Sequence, residues 1–162
     1  TAIVPGMIIP LGGADVTLDW DAARPRRLRI ADGRLIAGGP LEGLEARVLR
    51  WLKAEARSRL ADETARFAAA AGVTVEKVGV GDPVSRWGSC SASGTIRYSW
   101  RLILAPHAVL EATAAHEVAH RLHMNHGKAF HGLVAQLLGR DPAFERRWLR
   151  EHGRALHAFG SA

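Results

Sequence analysis

Residues 116–126 read HEVAHRLHMNH, four histidines and one glutamate within eleven positions. The surrounding pattern predicts a helix that opens at Pro106, a residue suited to a first turn, and runs to about Met124. At about 100° per residue, with His116 set at zero, His120 falls near 40° and Glu117 near 100°, while Ala115, Val118, Ala119 and Leu122 occupy a back face between roughly 200° and 300°. Such a helix has an apolar back and a His/His/Glu front. Histidines four apart are separated by about 6 Å along the axis, so both rings can meet one ion at about 2.0–2.1 Å. Glu117 stands beside them without taking a coordination position, where it can contact a metal-bound water.

A catalytic zinc has three protein ligands and one open position. His123 is on the same face as His116 but about 10 Å further along the axis, too far for one ion. His126 fits better. Asn125 is expected to be a left-handed residue that ends the helix and turns the chain back, and Gly127 adds freedom. The ten-residue interval from His116 to His126 is also the ligand interval of the H-E-x-x-H-x-x-G-x-x-H proteases. Glu145, further downstream, is the alternative third ligand. His131 follows on the next helix, near the same site. Cys90, the single cysteine, excludes an internal disulfide and reads as a structural thiol.

Working outward, SRWGSC (85–90), the turn SASG (91–94) and TIRYSWRLIL (95–104) predict a hairpin. Ile96, Tyr98, Trp100, Leu102 and Leu104 then face the core, and Arg97, Ser99 and Arg101 face away. VTVEKVGV (73–80) reads as a strand. Residues 42–70 change to a helical period, with Leu44, Val48, Trp51, Leu52 and Phe67 on one stripe and Gly72 as the stop. The first forty residues alternate like a small β-meander, with Asp32-Gly33 as a two-residue hairpin turn. Phe130, Leu133, Val134, Leu137 and Leu138 mark another helix that Gly139 stops. Asp141 and Pro142 open the last one as N-cap and first helical residue. The expectation is one α+β domain over 1–162. Residues 1–40 form the meander and 41–162 the catalytic core, in which an antiparallel sheet precedes the H-E-x-x-H helix and two further helices.

The chain of 162 residues is 48% hydrophobic and carries a net charge of +6. No apolar run approaches the roughly 20 residues that span a membrane. No basic stretch precedes the apolar AIVPGMIIPL, so no signal peptide is expected, and the single cysteine suits a reducing, cytoplasmic location. The charge permits a polyanion partner, with RPRRLR (24–29) as its best local cluster, but no aromatic is interleaved there. A nucleic-acid partner is therefore allowed by charge and supported by no motif.

RWGSCSASGTIRYSWRLILAP (86–106), HEVAH (116–120) and MNHGKAF (124–130) together resemble the YgjP-like metallopeptidases, relatives of the SprT-like zinc proteases. The resemblance covers most of the chain, and RRLRIADGRLIAGGP sits where that family has its N-terminal strands. It departs from the family pattern at His131 and Tyr98. It implies a zincin-like fold and one zinc ion per chain on His116, His120 and His126, with Glu117 catalytic. The expected reaction is hydrolysis of a peptide or protein substrate by a zinc-activated water, with Glu117 as general base. Arg86, Tyr98, Arg101 and His131 are the candidate oxyanion or substrate donors. Two other readings remain: a metal-dependent nucleotide pyrophosphatase, and a nucleic-acid-binding module with structural zinc. The first lacks a glycine-rich phosphate loop, and the second gives Glu117 no task.

Overall fold

The computed structural model describes residues 1–160. Strands β1 (Ile8–Leu11), β2 (Ala14–Trp20), β3 (Arg29–Ala31) and β4 (Arg34–Ala37) form one sheet, and the long helix α1 (Leu44–Ala71) follows. Strands β5 (Lys77–Gly81), β6 (Gly88–Cys90) and β7 (Thr95–Ser99) form a second sheet. A short 3-10 helix (Trp100–Leu104) leads from it into α2 (His107–Ala119), α3 (Lys128–Leu138) and α4 (Ala143–Ala158). The fold is α+β, with four α-helices and two small sheets among the described residues, and is compatible with a zincin-like architecture.

The sheets are mixed, where an antiparallel sheet and an N-terminal meander were expected. The first has order β1-β2-β4-β3 with β2 and β4 parallel, and the second has order β5-β7-β6 with β5 and β7 parallel. The Asp32-Gly33 turn does form the β3–β4 hairpin, with φ of 52° and 71° as a type I′ turn needs. What breaks the meander is the segment between β2 and β3, which wraps the end of β4. The Gly39 N–H donates to Arg24 O at 3.0 Å. A Cβ at Gly38 would stand 2.3 Å from both Arg24 O and Pro25 O, so only glycine admits this crossing. The hairpin thereby returns with β4, not β3, beside β2.

Helix α1 buries Leu44, Val48, Leu52, Ala56, Leu60 and Phe67 along one stripe and packs against α2, the 3-10 helix and β5. Gly72 ends it at φ 70°, its N–H reaching Ala68 O and Ala69 O. Among the expected strands, β5 starts four residues late, at Lys77, and β7 stops at Ser99 instead of running to Leu104. The Ser99 side chain accepts from Arg101 N at 3.2 Å and caps the 3-10 turn. All five residues from Trp100 to Leu104 are buried, so no polar face holds that run to a two-residue period.

Arg101, expected on the outward face, is buried and donates to four oxygens. Its Nε and Nη2 reach Asp82 Oδ1 at 2.8 Å and Oδ2 at 3.1 Å, and its Nη1 reaches Leu156 O at 2.7 Å and Phe159 O at 2.5 Å. It thus ties the end of α4 to the second sheet. Helix α4 opens one residue later than expected, with Pro142 at the N-cap position and no side-chain cap, while Asp141 accepts instead from Arg146 at 3.5 Å. No helix among the described residues is long and apolar enough to cross a membrane.

Candidate metal centre

Helix α2 ends at Ala119, with His120 as its C-cap, not at Met124. The bonds after it tighten to a three-residue step, Arg121 N–H donating to Val118 O at 2.9 Å and Leu122 N–H to Ala119 O at 3.1 Å, before His123 N–H reaches Ala119 O at 3.0 Å. Ala115, Val118 and Ala119 form the buried back as expected, but Leu122, beyond the helix, is 53% exposed. Asn125 is not left-handed; Asp32 is the one non-glycine residue with positive φ among those described. The early helix end does the work assigned to Asn125 and brings His126 back over the helix terminus.

The structure brings His116, His120 and His126 together, with ring nitrogens all within 4.8 Å of one another. Ring centroids stand 5.0, 5.2 and 4.8 Å apart, and the Nε2 atoms of His120 and His126 face each other at 3.0 Å. The His120 Nδ1–H donates to His123 O at 3.0 Å, the tautomer that leaves Nε2 its lone pair. His123 therefore contributes through its backbone. Burial and the neighbouring imidazoles push the His116 pKa down to about 4, and burial lowers that of His120. Three imidazoles with converging nitrogens are a donor set that a zinc ion takes. Phe130 of α3 is buried behind them, 4.8, 4.6 and 4.9 Å from the three rings.

Glu117 is 5% exposed, and its Oε2 is 3.9 Å from His116 Nε2. Burial pushes its pKa up to about 7. Its space is provided by Gly88 in β6: a Cβ there would stand 2.9 Å from both Cγ and Oε2 of Glu117.

His116, Glu117 and Phe130 line a cleft of about 470 Å³, together with Arg86 and His131. Two other expected donors are not brought there. Tyr98 is buried with its hydroxyl 2.8 Å from Thr64 Oγ1, burial raising its pKa, and Arg101 is committed as described above. Cys90, half-buried with its thiol pKa raised chiefly by burial, stands outside the histidine group. Glu145 lines the cleft but is not part of the histidine group; its Oε1 accepts from Arg140 at 2.8 and 3.0 Å.

Sequence reasoning missed the walls that α4 and Trp87 supply. Trp87 stacks on His157 at 4.7 Å and lies over Gly153, where a Cβ would meet its ring at 3.0 Å. Arg146, Leu149 and Arg150 complete that side. Trp87 was visible in the RWGSC stretch, whereas the α4 residues carried no signal beyond amphipathicity. A second group, Glu63, His107 and Glu111, also clusters, but Arg66 bridges both carboxylates and Arg140 pairs with Glu111. Its carboxylates are engaged in an ion-pair network that Arg140 extends to Glu145.

Three converging imidazoles beside a buried carboxylate, with His116 and Glu117 lining an open cleft, form a group of side chains that could hold a metal ion. The chain belongs to the YgjP-like metallopeptidase domain family, whose model matches residues 1–152. No curated protein and no solved structure matches it.

Proposed function

We propose that this chain is a zinc-dependent peptidase in which His116, His120 and His126 hold one zinc ion and Glu117 is the general base. The observation that carries the reading is the convergence of those three rings beside a buried carboxylate at the wall of an open cleft. Zinc, when bound, supplies Lewis-acid polarisation of the scissile carbonyl and acidifies water. Glu117, with a pKa near neutrality, accepts the proton from the attacking water and returns it to the leaving amine. Arg86 and His131, which share the cleft, are the remaining donors for charge developing on the carbonyl oxygen. Strand β6 is an outer strand of its sheet and lies against α2, so an extended substrate can pair along it.

The test is zinc content and hydrolysis of unfolded casein, measured on one preparation beside nucleoside triphosphates. About one zinc per chain with casein cleavage abolished by chelation supports the reading. The rival, phosphoanhydride hydrolysis, takes its support from the arginines that line the cleft, Arg86, Arg146 and Arg150. Phosphate release with intact casein would favour it.

A further inference from the structure

The segment between β2 and β3 that wraps the end of β4 carries Arg26 and Arg27. Together with Leu28 they meet Arg47, Arg50 and Trp51 of α1 around a groove of about 410 Å³. Arg47, Arg50 and Trp51 stand at i, i+3 and i+4, on one face of that helix. The basic cluster at 24–29 has no aromatic of its own, and the fold supplies one from α1. No residue of this groove lines the metal cleft. Arg47 is held in place by three carbonyls, donating to Gly38 O at 2.7 Å, Pro40 O at 2.6 Å and Glu42 O at 3.3 Å. A Cβ at Gly39 would stand 2.6 Å from Arg26 Cγ and 3.4 Å from Arg47 Nη2, so both side chains crowd one glycine. The neighbouring carboxylates are engaged elsewhere: Asp19 with Arg24 and Arg34, Asp21 with the Ala23 N–H, Glu45 with the Ile3 N–H. None of Arg26, Arg27, Arg47 and Arg50 forms an ion pair among the described residues. Four guanidinium groups around one groove, without a carboxylate, make a local positive field that a bound anion relieves.

We infer that this groove binds a single strand of nucleic acid, its phosphates on the arginines and one base against Trp51. The inference is independent of the peptidase reading. A guanidinium fork matches two phosphate oxygens at once. Arg26, Arg27 and Arg50 are exposed and make no hydrogen bond among the described residues, so their forks are open to a ligand. Arg47, held by carbonyls, supplies charge more than contact. Trp51 packs against the core on one side and lines the groove on the other. An indole beside several arginines suits a strand with unstacked bases, because every base offers a ring face for stacking. An acidic peptide or an anionic bilayer would use the charge and leave the indole without a task. A duplex keeps its bases within its own stack.

The test is fluorescence anisotropy of a labelled oligothymidylate of about twelve nucleotides, within the span of such sites, titrated with the full chain at several salt concentrations. The triple variant Arg26→Gln, Arg27→Gln, Arg50→Gln should bind at least about tenfold more weakly at about 0.1 M salt. Its slope of log affinity on log salt should be shallower by about 2, three phosphate contacts at about 0.7 each. The triple variant Arg57→Gln, Arg147→Gln, Arg154→Gln removes the same charge from exposed arginines outside the groove and should bind like the wild type. An abasic strand of equal length should bind the wild type at least about fivefold more weakly than the oligothymidylate. Trp51→Leu should weaken the oligothymidylate by the same factor and leave the abasic strand unchanged. Equal losses in the two triple variants mean binding by overall charge and overturn the groove. Polyglutamate, an anionic vesicle or a duplex bound as tightly as the strand overturns the partner, as does an abasic strand bound like the oligothymidylate.

Discussion

Gly88→Ala should slow catalysis while leaving the metal in place. The added Cβ would stand 2.9 Å from Cγ and Oε2 of Glu117 and 3.1 Å from its Cδ. Ordinary carbon–carbon contact begins near 3.5 Å, so the carboxylate must move by at least about 0.6 Å. Its end can swing, but Cγ is fixed close to the α2 backbone, so the displacement reaches the whole carboxylate. A misplacement of about 1 Å can cost about 10²-fold, and losing a positioned base about 10²–10⁴-fold. The expected loss is therefore about 10- to 10²-fold in kcat. Folding should be spared, because Gly88 is not among the positive-φ glycines and alanine suits its strand backbone. Zinc content should be unchanged, because all three histidines lie on α2 and the turns after it. Zinc stoichiometry, thermal midpoint and casein turnover are measured on the same protein. Gly88→Ala combined with Glu117→Gln should be no slower than Glu117→Gln alone, because both act through one carboxylate. A zinc-loaded, folded Gly88→Ala protein turning over at the wild-type rate would refute the reasoning.

Other outcomes follow from the same geometry. Glu117→Gln should bind zinc at wild-type stoichiometry and lose at least about 10²-fold in turnover, read by metal analysis beside the casein assay. His126→Ala should lower zinc affinity by orders of magnitude and His123→Ala should barely change it, because position 123 acts through its carbonyl; competition with a chelator reads both. Arg101→Ala strands Asp82 and two buried carbonyls and should cost about 2–4 kcal/mol, measured by urea unfolding. The Arg101 guanidinium holds the Asp82 carboxyl below its ordinary value of 3.8. That contribution is present above 3.8 and lost as pH falls through the lower folded value. Asp82→Asn should therefore flatten the acid limb of the urea midpoint against pH.

Local chemistry was the legible part. The Asp32-Gly33 hairpin and the helix ends at Gly72 and Gly139 appear where their residues predict, because each needs only its own backbone conformation. The convergence of His116, His120 and His126 follows from spacing and one turn. The end of α2 was not legible, because RLHMN holds neither glycine nor proline. Contacts outside the helix hold the chain there: Arg121 reaches across to Thr74 O and Ala92 O, both at 2.9 Å. The parallel pairings, the inward turn of Arg101 and the α4 wall of the cleft share that non-local origin. None has a periodicity that one segment could reveal.

The proposed metal donors all come from one stretch of eleven residues at the end of a single helix, whereas the glutamate's seat and the cleft walls come largely from β6, α3 and α4. Loading and activity therefore have different failure modes. Damage to a distant wall leaves a fully metallated but inert protein, and only a lesion within the short stretch or its Phe130 backing empties the site. On the proposed peptidase reading, this separation makes assembly of the outlying walls, not supply of the ion, the step at which cleavage can be withheld.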